Sequence, residues 1–175
     1  LEQTDKENIT KSILEKYAKA SVSMEGSFSY PTGAPALKMI GYEEAILSLL
    51  PESVQAVYCG VGNPFSLGAI DPGMAVIDIG CGAGVDTLFA ALMVGPGGRV
   101  VGIDITPEMV ERAKANLKQV KLPNVSFYQA SAEQLDFPPE GFDVAISNGA
   151  LNLVVNKAQA LMEIYRVLKP GGRLM

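Results

Sequence analysis

Histidine is absent from all 175 residues. Its absence excludes imidazole acid–base chemistry, Ser-His-Asp triads and His-ligated metals. Cysteine occurs only at Cys59 and Cys81, too few for a disulfide framework or a metal knuckle, and no metal is expected. No run of lysines or arginines is present and the formal net charge is -5. The electrostatic footprint for nucleic acid or anionic lipid is therefore missing, and neither partner is expected. The longest uncharged stretch, residues 53–70, contains Asn63, Pro64 and three glycines, which argues against a membrane helix. The charged, helix-patterned N-terminal segment does not read as a signal peptide, so a cytoplasmic location is expected. No internal repeat or low-complexity tract occurs. The length fits one domain that buries roughly 70% of its unfolded surface.

What is present falls into a leader, residues 1–73, and an alternating region, residues 74–175. "TDKENITKSILEKYAKA" places Thr4 and Glu7 at capping-box spacing, with Ile9, Ile13, Leu14 and Tyr17 on one face of an amphipathic helix. Residues 21–39 are rich in Ser, Gly and Pro and read as a mobile loop over the site. "GYEEAILSLL" is a short helix stopped by Pro51, and Asn63 caps a helical turn starting at Pro64. From Met74 the pattern becomes strand "MAVIDI", helix "VDTLFAALMV", strand "RVVGIDI" and helix "PEMVERAKANLKQV", the last capped by Thr106. Strands "VSFYQA" and "FDVAIS" follow, then helix "KAQALMEIYRVL" capped by Asn156, a break at "KPGG", and a strand beginning "RLM". This alternation predicts an α/β, doubly wound, mostly parallel sheet with helices on both faces. Ligands of such sheets bind at the carboxyl ends of the strands.

The chemistry centres on "VIDIGCGAGVDTLFAA", residues 76–91, where Gly80, Gly82 and Gly84 occupy alternate positions directly after a strand. A dinucleotide fingerprint needs its third glycine three residues after the second, but position 85 is Val. Asp104 ends the second strand twenty residues after Gly84, where a carboxylate accepts hydrogen bonds from both ribose hydroxyls. Asp78, beside the loop, repels a pyrophosphate but suits an ammonium group. A nucleoside carrying an amino acid and no phosphate meets all these conditions.

"VIDIGCGAG", "VVGIDITPEM", "FDVAISN" and "LKPGGRL", in that order, resemble the motifs of class I S-adenosylmethionine-dependent methyltransferases, with a Rossmann-like fold. "GYEEAILSLLPESVQAVYCGVGNPFSLGAIDPG" and "ISNGALNL" are similar to the arsenite methyltransferase family and its relatives. The resemblance implies that S-adenosyl-L-methionine is the cofactor and a small molecule the methyl acceptor. It further implies that Gly80, Cys81, Gly82 and Gly84 line the methionine moiety and that Asp78 orients its ammonium. Asp104 would hold the ribose, and Ile105 and Met109 would flank the adenine. Ser131 stands where the family has an acid for the adenine amino group, which shifts weight to Ala132 and Glu133. Asn148 would lie near the sulfonium methyl, with Gly62 and Asn63 closing over the methionine end.

Two departures accompany the resemblance. The family's substrate cysteines fall on Val61 and Gly149 here, so efficient arsenite methylation is not expected. The chain stops at "GGRLM", where the family's sheet continues, so the core reads as truncated near its fifth strand and self-association through the sheet edge is expected. The remaining readings are a cofactor-binding protein without turnover and, disfavoured by Asp78 and the glycine spacing, a nicotinamide-dependent oxidoreductase.

Overall fold

The structure is a computed structural model that describes residues 3–24 and 26–175. Five strands form one sheet: β1 (Ala75–Ile79), β2 (Arg99–Asp104), β3 (Val125–Gln129), β4 (Phe142–Ile146) and β5 (Leu168–Leu174). Their order is β3-β2-β1-β4-β5 and every neighbouring pair is parallel. β1 is central, with Asp78 opposite Gly102 on one side and Ile146 on the other. The switch of chain direction on either side of β1 opens a crevice at the strands' carboxyl ends, and the glycine loop leaves β1 into that crevice.

Both faces of the sheet are covered, so the strands read as continuous apolar runs. Val76, Val100, Val144 and Ile146 pack under α5 (Val85–Val94), while Ile77, Ile79, Val101 and Ile103 pack under α7 (Lys157–Val167) with Ile164 and Val167. α6 (Pro107–Val120) starts at Pro107, whose fixed φ suits a first helical position. The helix α1 (Gln3–Val22) lies along α6, with Ala20 buried against Met109.

The leader differs from expectation in two places. Thr4 lies inside α1 rather than before it. Residues 33–39, expected as part of a mobile loop, form α2 (Gly33–Met39) with Ala36 and Leu37 buried. Pro35 falls in the first turn of α2, where its missing N–H costs no intrahelical bond. The helix then connects through α3 (Glu44–Leu47) and α4 (Glu52–Gln55) to the core. Asn63 caps the following 3-10 turn by accepting from the Phe65 N–H at 3.0 Å, and Asn156 caps α7 in the same way from Gln159 at 3.1 Å.

The "KPGG" segment is also not a break. It lies within β5, where the pairing shifts register between Phe142 and Val144. Gly171, at φ +80°, supplies the irregular backbone, and Lys169 Nζ reaches Asp143 at 2.8 Å.

Candidate functional site

The glycine loop is fixed by its backbone. The N–H groups of Gly80 and Cys81 both donate to the carbonyl of Ile103, each at 2.8 Å, so β1 and β2 splay apart beyond that point. Gly80 has φ +76°, and a side-chain carbon there would collide with Ala150. Gly82 has φ +51°, and the space beside its Cα is open. A backbone bare of side chains therefore faces the crevice.

A cavity opens over this loop. It is lined by Asp78, Gly80, Cys81 and Gly82 from the loop, by Asp104 and Ile105 after β2, by Ser131 and Ala132 after β3, and by Asn148 after β4. Four residues named from the sequence stand outside the lining. Gly84 is the left-handed N-cap of α5, and a Cβ there would meet the Phe127 ring at 2.7 Å. Met109 is fully buried behind the wall, against Ala83. Gly62 and Asn63 lie one layer further out, with the Gly62 N–H donating to Asn148 Oδ1 at 3.0 Å and Asn63 Nδ2 donating to the Gly41 carbonyl at 2.9 Å.

The cavity also holds residues that sequence reading passed over. Thr10, Ile13 and Tyr17 bring α1 to its rim, and Tyr58 and Gly60 bring the segment before the 3-10 turn. Asp86 lines it from the first turn of α5. A lone carboxylate in the otherwise uncharged run "VDTLFAALMV" was the available signal. Tyr42 donates its hydroxyl to Asp86 Oδ1 at 2.5 Å, and Asn148 Nδ2 donates to Asp86 Oδ2 at 2.9 Å. Asn148 Nδ2 is also 3.0 Å from the Tyr58 hydroxyl and 2.7 Å from the Gly62 carbonyl, and Asn148 Oδ1 accepts from Val61 N–H at 2.9 Å. Gly60 allows this approach, because a side-chain carbon there would overlap the Asn148 amide.

Thr106 does not cap α6 with its side chain. Asp104 serves there instead. Its Oδ1 accepts from the Thr106 N–H at 2.8 Å and its Oδ2 from the Gly82 N–H at 2.9 Å. One carboxylate thus ties the glycine loop to the start of α6 while facing the cavity.

Four acids line the cavity, Asp78, Asp86, Asp104 and Glu133, and no lysine or arginine among the described residues does. Burial pushes the carboxyl of Asp78 well above its usual range, and the charge of Asp86 adds to the shift. Burial likewise raises Asp86 and Asp104, against the hydrogen bonds each accepts. Burial, then the charges of Asp104 and Asp86, pushes the Cys59 thiol up to about 12, so Cys59 is a neutral thiol at physiological pH. As these acids ionise, the cavity repels anions and favours a cation.

The buried acids also set a pH dependence. A carboxyl raised in the folded state contributes stability at low pH that is lost as pH rises through its folded pKa. Two surface acids act oppositely. Arg166 donates to Glu163 and holds it down to about 2, and Lys169 and the Ala75 N–H lower Asp143 against its partial burial. Their contribution disappears only as pH falls below the carboxylate range of roughly 4. Unfolding free energy from denaturant titration is therefore expected to fall as pH rises from about 4 to about 6, where Asp86 titrates. A flat or rising profile over that window would show that the cavity acids are not held protonated by the fold.

Comparison with known proteins agrees with the geometry. Residues 70–175 match the family model described as a methyltransferase domain. An arsenite methyltransferase from Halobacterium salinarum is 37% identical over 149 residues, covering 85% of this chain and 38% of its own length. A demethylmenaquinone methyltransferase from Lactococcus lactis is 40% identical over 103 residues, or 59% of this chain and 41% of its own length. The crystal structure of an arsenic(III) S-adenosylmethionine methyltransferase from Chlamydomonas reinhardtii superposes with a TM-score of 0.68 at 36% identity, covering 77% of this chain and 48% of that one. This chain spans less than half the length of each of these relatives. No helix among the described residues is long and apolar enough to cross a membrane. With more than half of the chain inside the matched region, a parallel sheet and a glycine loop opening at its switch point, the chain belongs to the methyltransferase-domain family.

Proposed function

We propose that the chain binds S-adenosyl-L-methionine in the acid-lined cavity and transfers its methyl group to an uncharged small molecule. The observation that carries this reading is the set of four carboxyls lining one cavity, with no basic side chain among its described lining residues. Bound there, S-adenosylmethionine supplies a methyl group already activated on a sulfonium, so the protein has only to align the reactants and exclude water. Asp104 is oriented by two backbone N–H groups and presents its carboxylate to the ribose hydroxyls. The bare backbone at Gly82 accepts the methionine end. Asp78, held by the Thr87 hydroxyl at 2.6 Å, supplies negative charge beneath the ammonium. Ser131 and Ala132 border the adenine end, and α1 with the rest of the leader covers the opening. Because donor and protein are oppositely charged, donor affinity rises with pH over the range in which apo stability falls. A pyrophosphate finds no positive partner among these residues, which disfavours a nicotinamide cofactor.

The acceptor is not arsenite in this reading. Val61 and Gly149, the positions of the arsenite family's cysteines, do come together: a Cβ on Gly149 would lie 3.3 Å from Val61 Cγ2. Neither carries a thiol, and Cys59 is held neutral. A soft metalloid centre needs thiolate ligands. Incubation with arsenite, glutathione and S-adenosylmethionine is expected to yield no methylated arsenic above a protein-free control, measured by chromatography of arsenic species. Multiple turnovers to methylarsenicals would overturn this part of the reading. Retention of radiolabelled S-adenosylmethionine in equilibrium dialysis tests the cofactor assignment itself, with NADH as the comparison ligand. Equal retention of the two would overturn it.

A further inference from the structure

We propose that Asp86 is the proton acceptor in methyl transfer, so that the acceptor is an oxygen or carbon acid such as a phenol, hydroquinone or enol. This rests on the reading of the cavity as the methyl-donor site.

Placement carries the argument. Asp86 enters the cavity from α5 on the side of Asn148, Tyr58 and Gly60, next to Val61 and Gly149. That side is distinct from the one where Asp104 and Ser131 lie after β2 and β3. The other cavity acids are unsuited to the role. Asp78 is 1% exposed beneath the loop and bonded to Thr87. Asp104 is taken up by the ribose hydroxyls in this reading, and Glu133 lies beside Ala132 at the adenine end, with its Oε1 accepting from the N–H of Asn156. Asp86 holds one donor on each oxygen, Tyr42 on Oδ1 and Asn148 on Oδ2, which leaves a lone pair free on each. The ionisable groups facing it are Tyr42, Tyr58 and Cys59 from the leader and Asp78 from β1, and no basic group among the described residues faces it. Burial raises Asp86, bringing it toward the range in which a base operates near neutral pH. Burial and the charge of Asp86 raise both tyrosines, so they remain proton donors that orient the carboxylate.

The step balances without an oxidant. The acceptor's oxygen or carbon forms a bond to the methyl carbon, the sulfur–methyl bond breaks with its electron pair remaining on sulfur, and the acceptor's proton passes to Asp86. Solvent then takes that proton. A thiolate or a metalloid lone pair would leave Asp86 with no proton to accept.

The test uses methyl-labelled S-adenosylmethionine with 1,4-naphthohydroquinone, catechol and thiophenol as acceptors. The intact chain is expected to methylate at least one of the two oxygen acids, with a rate that falls as Asp86 protonates. Asp86→Asn should lower kcat by at least about 100-fold, the scale of general-base catalysis, a loss larger than any accompanying change in donor affinity read by calorimetry. The acid limb of the pH profile should vanish in that variant, and Asp86→Glu should restore part of the rate. Independently of turnover, infrared titration with S-adenosylhomocysteine bound should show protonated-carboxyl absorption, of which Asp86→Asn removes one component and leaves that of Asp78. Unchanged kcat in Asp86→Asn, methyl transfer to thiophenol alone, no transfer to either oxygen acid while the donor binds, or a carboxyl absorption left undiminished in the variant would each overturn the proposal. Failure of the donor to bind at all would instead overturn the reading of the cavity.

Discussion

Phe89→Ala is expected to lower the unfolding free energy by about 3–5 kcal/mol, the scale for removing a fully buried phenyl ring. Phe89 is 1% exposed on α5 and is where the leader meets the core. Its ring lies 5.1 Å from that of Tyr42, edge to face, and 4.7 Å from that of Phe65. Tyr42 in turn meets Tyr58 and Phe65 at 5.6 Å. The substitution leaves a cavity and removes two aromatic contacts, each worth roughly 0.5–1.5 kcal/mol beyond area burial. Because Tyr42 also bonds Asp86, donor affinity should fall with stability. Denaturant unfolding followed by circular dichroism measures the first effect. A loss below about 1 kcal/mol would mean that the leader does not pack on α5 as described, since a closely packed phenyl cannot be removed so cheaply.

Asp104→Ala should weaken S-adenosylmethionine binding by about 2–3 kcal/mol, the scale for charge-assisted hydrogen bonds to a desolvated partner. The structure adds a second loss. Without the carboxylate, the N–H groups of Gly82 and Thr106 lose their acceptor, so the glycine loop and the start of α6 are no longer tied together. Asp104→Asn separates the contributions, since its amide oxygen serves one N–H and the negative charge is gone. Isothermal calorimetry should rank the affinities as wild type, Asn, Ala. Equal affinity in all three would remove Asp104 from the ribose site.

The alternating half of the chain was legible to within a residue or two as far as α7, and its punctuation explains why. α5 runs from Val85 to Val94 because Gly84 precedes it and "GPGG" follows, and α6 starts at Pro107. These marks act through local backbone sterics, which no tertiary contact overrides here. The leader was harder. α2 was hidden because Gly33 and Pro35 suggest a loop, and only the burial of Ala36 and Leu37 makes a helix favourable. "KPGG" misled for the converse reason: a breaker sequence is accommodated as a register shift when the neighbouring strand supplies partners on both sides of it.

The candidate site divides along the same line. Asp78 and Asp104, at or beside strand ends, are named from the sequence, and both line the cavity. Asp86, Tyr42 and Tyr58 were not, because their association spans the leader, α5 and the end of β4 and leaves no spacing to read. Gly62 and Asn63 were named by resemblance, yet they lie outside the lining: Gly62 meets it through Asn148 and the Tyr58 hydroxyl, and Asn63 bonds the Gly41 carbonyl.

The central place of β1 has a consequence for the order in which the chain is made. The half-sheet β3-β2-β1 comes from consecutive segments, whereas β4, the other neighbour of β1, follows only after β3 has been made. A growing chain therefore has its glycine loop, Asp78 and Asp104 in place while Asn148 and β5 are still to come. During that interval the crevice has one wall, Asp86 lacks its amide partner, and the edge of β1 stands open. The binding chamber is thus finished only once β4 has paired with β1 and the chain has reached Asn148.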